Sequence, residues 1–336
     1  MEILLGEGEL AGEPVLRIRD LRVGTADGDI VRGVDLEIAR GQVVGLVGES
    51  GCGKTTLGLA IAGLLGASRR VLGGSIAFEG ETIVDAGTDR TQPLRGGRIG
   101  FVPQDPFGAL DPLRHVGPQL ARPLRLHRGM SEEAALDRIS ELLVAVRMGD
   151  PRAILRKYPH ELSGGQLQRA VIASALSTEP TLLIADEPTS ALDVIVQAQV
   201  LQTFLELVRE VGAAVILVTH DIGVVAETTT RLATMYAGKI VESGPTRDLL
   251  TTPRHPYLGA LLASLPRLDE ERERLFAIPG RPPQLPGLLW PCAFAPRCPF
   301  ATRICTEQQP EADPQEEHGY ACHHPLDETA RAKVRA

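Results

Sequence analysis

Gly48-Glu49-Ser50-Gly51-Cys52-Gly53-Lys54-Thr55 fits the pattern G-x-x-x-x-G-K-[ST], and its flanks decide how it is read. Ahead of it runs Gln42-Val43-Val44-Gly45-Leu46-Val47, a short apolar strand pattern, and behind it 55–65 reads as a helix. In that context backbone N–H groups turn inward around phosphate oxygens, and the helix N-terminus adds its positive dipole end. Lys54 is placed to meet β and γ phosphates and Thr55 to offer a hydroxyl to Mg²⁺, while Gly48, Ser50, Gly51, Cys52, Gly53 and Thr56 complete the cradle. Lysine occurs only four times in 336 residues, so its place in this slot is not a by-product of composition.

Working outward, two more apolar strands are expected at 181–185 and 213–218, with an amphipathic segment at 194–210 between them. This is the β-helix-β spacing of a parallel sheet covered by helices, an α/β class. The first of these strands runs into Asp186-Glu187, delivering two carboxylates to the sheet edge where the glycine loop lies. Asp186 suits the Mg²⁺ shell, and Glu187, one residue further on, is placed to orient or deprotonate an attacking water. Residues 15–35 alternate and carry turn punctuation at Gly24, Asp27, Gly28 and Asp29, as antiparallel strands at a sheet edge do. Leu136, Ile139, Leu142, Leu143 and Val146 recur at helical spacing, which places a helical subdomain at about 110–170 inside the α/β core.

Composition narrows the partners. Lys and Arg total 35 against 43 Asp and Glu, a net charge of −8, which argues against a dedicated nucleic-acid binder. No window approaches the ~18 uncharged apolar residues of a membrane span, and residues 1–13, with four glutamates, lack the basic start of a signal peptide. A cytoplasmic chain is expected. Thirteen of the 25 prolines fall after residue 250, and Cys292, Cys298, Cys305 and Cys322 lie within the last 45 residues. In a cytosolic chain four such cysteines read as metal ligands more readily than as disulfides.

Leu162-Ser163-Gly164-Gly165-Gln166-Leu167-Gln168-Arg169 resembles the signature motif of ABC-type ATPases. Other stations of that family follow in order: Gln104 in Phe101-Val102-Pro103-Gln104 is similar to the Q-loop glutamine, Ser190-Ala191-Leu192-Asp193 to the D-loop, and His220 to the switch histidine. The resemblance implies a RecA-like parallel sheet plus an antiparallel edge sheet. It also implies a head-to-tail dimer in which Ser163, Gly165 and Gln166 of one subunit meet the ATP held by the other. In that reading Gln104 senses Mg²⁺ and the permease, Asp193 lies at the nucleotide, and His220 contacts the γ-phosphate. One departure stands out: 15–41 contains no Phe, Tyr or Trp to stack on adenine, so an aliphatic wall from Val23, Ile30 or Val31 is expected instead.

The run Pro253-Arg254-His255-Pro256-Tyr257, followed by Ile278-Pro279-Gly280-Arg281-Pro282-Pro283, resembles the C-terminal extension of oligopeptide and dipeptide importer ATPases, in their D-type form. This divides the chain into an ATPase domain at 15–245 and an extension at 246–325. The resemblance implies a related F-type ATPase partner, two membrane permeases that hold the chain at the cytoplasmic face of the membrane, and an external substrate-binding protein. Relatives importing nickel or glutathione share the extension, and a soluble redox-sensing ATPase is the alternative from another class. The C-x5-C-x6-C-x16-C spacing resembles the iron–sulfur tail of this family, which favours a [4Fe-4S] cluster, with zinc as the alternative.

Overall fold

Among the residues that the computed structural model describes, 13–189, 194–265, 276–287, 289–312 and 316–335, twelve strands divide into two sheets. In chain order they are β1 (Leu16–Thr25), β2 (Gly28–Ile38), β3 (Val43–Val47), β4 (Arg70–Phe78), β5 (Glu81–Asp85), β6 (Thr88–Asp89) and β7 (Ile99–Val102), then β8 (Leu182–Asp186), β9 (Ala214–Val218), β10 (Arg231–Tyr236), β11 (Lys239–Pro245) and β12 (Gly319–Tyr320).

The most apolar segments form the middle of the larger sheet, whose order is β12-β11-β10-β3-β9-β8-β7. β3 pairs in parallel with β9 and β10, β9 with β8, and β8 with β7. Strands covered by helices on both faces need continuous apolar runs, and every residue of β8 and β9 is buried. β11 and β12 add antiparallel strands on the far side, so two residues of the C-terminal segment join the main sheet directly. The smaller sheet, β2-β1-β4-β5-β6, is antiparallel. β1 lies inside it between β2 and β4, where alternation alone had suggested an edge position. Alternation reports one buried face, here Leu16, Ile18, Leu21 and Val23, and not the number of neighbours.

Between β7 and β8 the chain forms helices Val116–Leu120, Arg122–Arg128, Glu132–Ala145, Pro151–Leu155 and Gly164–Leu176. Helix Glu132–Ala145 starts at Ser131, whose side chain accepts the Ala134 N–H, and Glu132 and Glu133 in its first turn complement the helix dipole. Its buried Ile139 and Leu143 share one apolar cluster with Leu167 and Val171 of the last helix and with Leu183 and Val215 of the sheet. No helix among the described residues is long and apolar enough to cross a membrane.

Candidate nucleotide site

β3 runs into the glycine loop, and the loop into helix Lys54–Ile61. Gly48 has φ +153°, and a Cβ there would collide with the Met235 carbonyl oxygen; Gly53, at φ +108°, caps the helix in a left-handed conformation. Both positions need glycine. Lys54 is buried, and its Nζ donates to the carbonyls of Gly48 at 2.7 Å and Glu49 at 3.0 Å. Ser50 and Gly51 on the loop and Thr55 in the first helical turn are exposed, while Cys52 and Thr56 pack inward. Burial pushes the Cys52 thiol up, as suits a small loop residue with no role as a nucleophile.

Asp186 ends β8 and is only 3% exposed. Burial raises its carboxyl pKa; a hydrogen bond with the Thr55 side chain opposes this, the neighbouring Glu187 adds to it, and Lys54 opposes it. Among the described residues, Oδ1 of Asp186 is buried without a hydrogen-bond partner. A carboxylate oxygen with unused capacity beside a threonine hydroxyl is the oxygen donor set that Mg²⁺ takes, so these residues fit the ion.

The ends of three adjacent parallel strands bring three further residues together. Gln104, just beyond β7, donates from Nε2 to Glu187 Oε2 at 2.9 Å. His220, just beyond β9, places Nδ1 3.3 Å from Glu187 Oε1. Glu187 itself follows β8 at φ +47°, with its N–H donating to the Val218 carbonyl at 2.9 Å. Such a left-handed glutamate costs about 1–2 kcal/mol, and residues held this way cluster at functional sites. Glu187 and His220 line a pocket of about 290 Å³ together with Thr189, Thr219 and Asp221.

Ser163 caps helix Gly164–Leu176 through a reciprocal pair: its hydroxyl accepts the Gln166 N–H at 3.3 Å, and Gln166 Oε1 accepts the Ser163 N–H at 3.0 Å. Gly164 and Gly165 form the first turn, so the helix presents free N–H groups without side chains in the way. Among the described residues no hydrogen bond joins this turn to the glycine loop. Asp193 lies outside the described residues. Of the three aliphatic candidates for the adenine wall, Val23 and Val31 are buried in the core, and Ile30 is half-buried with its carbonyl against Gly53.

The ABC transporter family profile matches residues 31–190, and the oligopeptide/dipeptide transporter C-terminal region matches 241–305. The oligopeptide transport ATP-binding protein OppD of Escherichia coli (strain K12) is 43% identical over 320 residues, covering 94% of this chain and 95% of that protein. The chain belongs to the ABC transporter family of ATP-binding proteins. A probable peptide ABC transporter ATP-binding protein of Sinorhizobium fredii is 44% identical over 293 residues, 86% of this chain and 88% of that one. Among solved structures, a dimeric ATP-binding cassette in a post-hydrolysis state with ADP and Pi superimposes with a TM-score of 0.61 at 29% identity, covering 69% of this chain and 99% of that one. This chain is thus an ATPase subunit coupled to transport.

In this ABC ATPase the extension lies against the cassette at Glu242, which the motifs did not single out. Glu242 of β11 has a fully buried side chain that accepts the N–H groups of Arg254 and His255, each at 2.8 Å, and meets His318 Nε2 at 2.7 Å. Burial lowers the His255 pKa to about 3, and its neutral Nδ1 accepts the Tyr257 N–H at 3.0 Å. Cys292, Cys298, Cys305 and Cys322 all line one small cavity with Phe294, His323 and His324, and no disulfide joins any two cysteines among the described residues. Burial pushes Cys298 up to about 11 and Cys322 up to about 12, and in both the charges of neighbouring cysteines add to the rise. Among the described residues no three His, Cys, Asp or Glu side chains form a site for a single metal ion.

Proposed function

We propose that this ATPase powers import of di- and oligopeptides across the cell membrane, from its cytoplasmic face. Convergence of Gln104, Glu187 and His220 at one sheet edge carries the catalytic reading. In it, Lys54 and the loop residues from Gly48 to Thr56 hold the phosphates, and Thr55, Gln104 and Asp186 would hold Mg²⁺, which lowers the charge on the phosphate oxygens when bound. Glu187 takes the proton from the attacking water, and His220 steadies it and the γ-phosphate. Ser163, Gly165, Gln166 and Asp193 serve the nucleotide of the opposing subunit; the free first turn at Ser163 and the dimeric state of the solved relative support this. Residues 15–245 act as the nucleotide-binding domain and 246–325 as the importer-specific extension.

The peptide cargo rests on the similarity to oligopeptide transport proteins over nearly the whole chain. The partners that follow are an F-type ATPase subunit, two permeases and an external binding protein. Exposed Phe107 and Leu113, close after Gln104, offer apolar contact to a permease beside the glutamine that would sense it. The four thiols in one cavity support a [4Fe-4S] cluster as the extension's cofactor: thiolate is its ligand, and a cluster spreads its ligands over four corners where zinc needs them around one point. Purification from the membrane tests the assembly. The complex is expected to carry two permeases, a second ATPase and, in anaerobic preparations, iron with acid-labile sulfide. A soluble chain without partners would overturn the transport assignment, and stoichiometric zinc without iron would overturn the cluster.

A further inference from the structure

One arginine of the extension reaches into the phosphate loop. Arg297 closes the short turn Ala295–Arg297, and its guanidinium grips the Glu49 carboxylate with two prongs, Nη1 to Oε2 at 2.6 Å and Nη2 to Oε1 at 2.9 Å. Its Nε donates to the Pro279 carbonyl at 2.8 Å and Nη1 also to the Tyr236 hydroxyl at 3.2 Å. The arginine side chain is 5% exposed and the glutamate 22%. A second residue of the extension, Tyr257 in helix Pro256–Ala263, accepts the Glu49 N–H on its hydroxyl at 2.8 Å. Side chain and backbone of one loop residue are therefore held by groups 248 and 208 positions away.

The arrangement has an electrostatic consequence. The loop receives phosphates, and a carboxylate carried by the loop itself opposes them unless it is neutralised. A buried arginine fork neutralises it and also fixes its geometry, which a point charge would not. Removing the arginine alone would leave a partly buried carboxylate uncompensated beside the anion site. We infer that Arg297 is a positioning residue for nucleotide binding, through which the C-terminal extension sets the shape and charge of the phosphate loop by way of Glu49. The inference rests on reading 48–55 as the nucleotide loop. Arg297 is followed directly by Cys298, so the clamp and the thiol cavity share one turn.

The test is titration of the full chain with a fluorescent ATP analogue and Mg²⁺, with a thermal melt of each variant to establish that it is folded at the assay temperature. Arg297→Ala is expected to raise Kd about tenfold, the scale of an unpaired, partly buried charge. Arg297→Lys keeps the charge without the fork and should raise it about threefold; it serves in place of the alanine variant if that one does not fold. Combining Arg297→Ala with Glu49→Gln removes the repelling charge and is expected to restore Kd to within about threefold of the unaltered chain. An Arg297→Ala Kd within about twofold of that of the unaltered chain, while Lys54→Ala abolishes binding, overturns the inference alone. A double variant that binds no better than Arg297→Ala overturns it too, because a purely structural contact would behave so. Unchanged binding by Lys54→Ala would overturn the loop reading itself.

Discussion

β8 and β9 are buried throughout and, Asp186 apart, apolar, whereas the described part of the chain after residue 245 is a series of short elements held by side chains. Its described elements are helices Thr246–Thr251, Pro256–Ala263, Arg303–Glu307 and Glu328–Arg335, the turn Ala295–Arg297 and the two residues of β12. The core satisfies its backbone through a sheet ladder and gains stability from apolar area. Proline removes donors and fixes φ, so a proline-rich segment has few such ladders, and its backbone groups must find other partners. Glu242 accepts the N–H groups of Arg254 and His255 and Arg297 Nε donates to the Pro279 carbonyl, while Tyr257 and Arg297 both reach the same loop residue, Glu49. The extension is organised by polar anchors on the core, with the aromatic cluster of Tyr236, Tyr257 and Phe294 between them.

This contrast can be broken at graded points. The largest effect is expected at chemistry alone: Glu187→Gln should lower steady-state phosphate release by about 10²–10⁴-fold while retaining ATP binding and forming a stable dimer by gel filtration. Wild-type-like turnover would remove Glu187 from the base role. Next, Ile184→Ala in the fully buried β8 should cost about 2–5 kcal/mol in urea unfolding, lowering the stability of the whole cassette. Glu242→Gln exchanges one anchor carboxylate for an amide and should cost about 1–3 kcal/mol, read as faster hydrogen exchange at the Arg254 and His255 amides with β8 and β9 unchanged. Equal loss of protection in both regions would show that core and extension form one cooperative unit. The smallest effect is expected at Arg303, 87% exposed and paired with Glu307 at 3.2 Å: Arg303→Ala should move Tm by less than about 1 °C.

Legibility in the sequence followed the same divide. Strands β8 and β9 and the helix between them were expected within two residues, because a buried parallel strand and an amphipathic helix each carry a local period. Helix Glu132–Ala145 was legible from the helical spacing of Leu136, Ile139, Leu142 and Leu143, while its serine cap came only with the structure. The loop stood out because its glycines and lysine are required at fixed spacing. Strands β4 to β6 and β10 to β12 were not delimited beforehand; β4, β10 and β12 each pair with a strand remote in sequence, which no local period reports. The β1 position inside its sheet was missed for that reason. Arg297 gave no signal: within Ala295-Pro296-Arg297-Cys298 it is one arginine among prolines, and only the fold puts Glu49 in front of it.

By itself, then, the sequence determined the local patterns: a glycine loop with Lys54 and Thr55, a strand ending in Asp186-Glu187, a capped helix start at Ser163 and four late cysteines. Each of these is a local pattern, set by which residue types can make a tight turn, end a buried strand or cap a helix. The tertiary structure alone decided the juxtapositions. It brought Gln104 and His220 onto one carboxylate, four thiols onto one cavity, and an arginine from the C-terminal turn onto the phosphate loop. Contacts such as those across 83 and 248 positions depend on how sheets and helices pack, and packing is specified by the whole apolar pattern and by no single stretch of it.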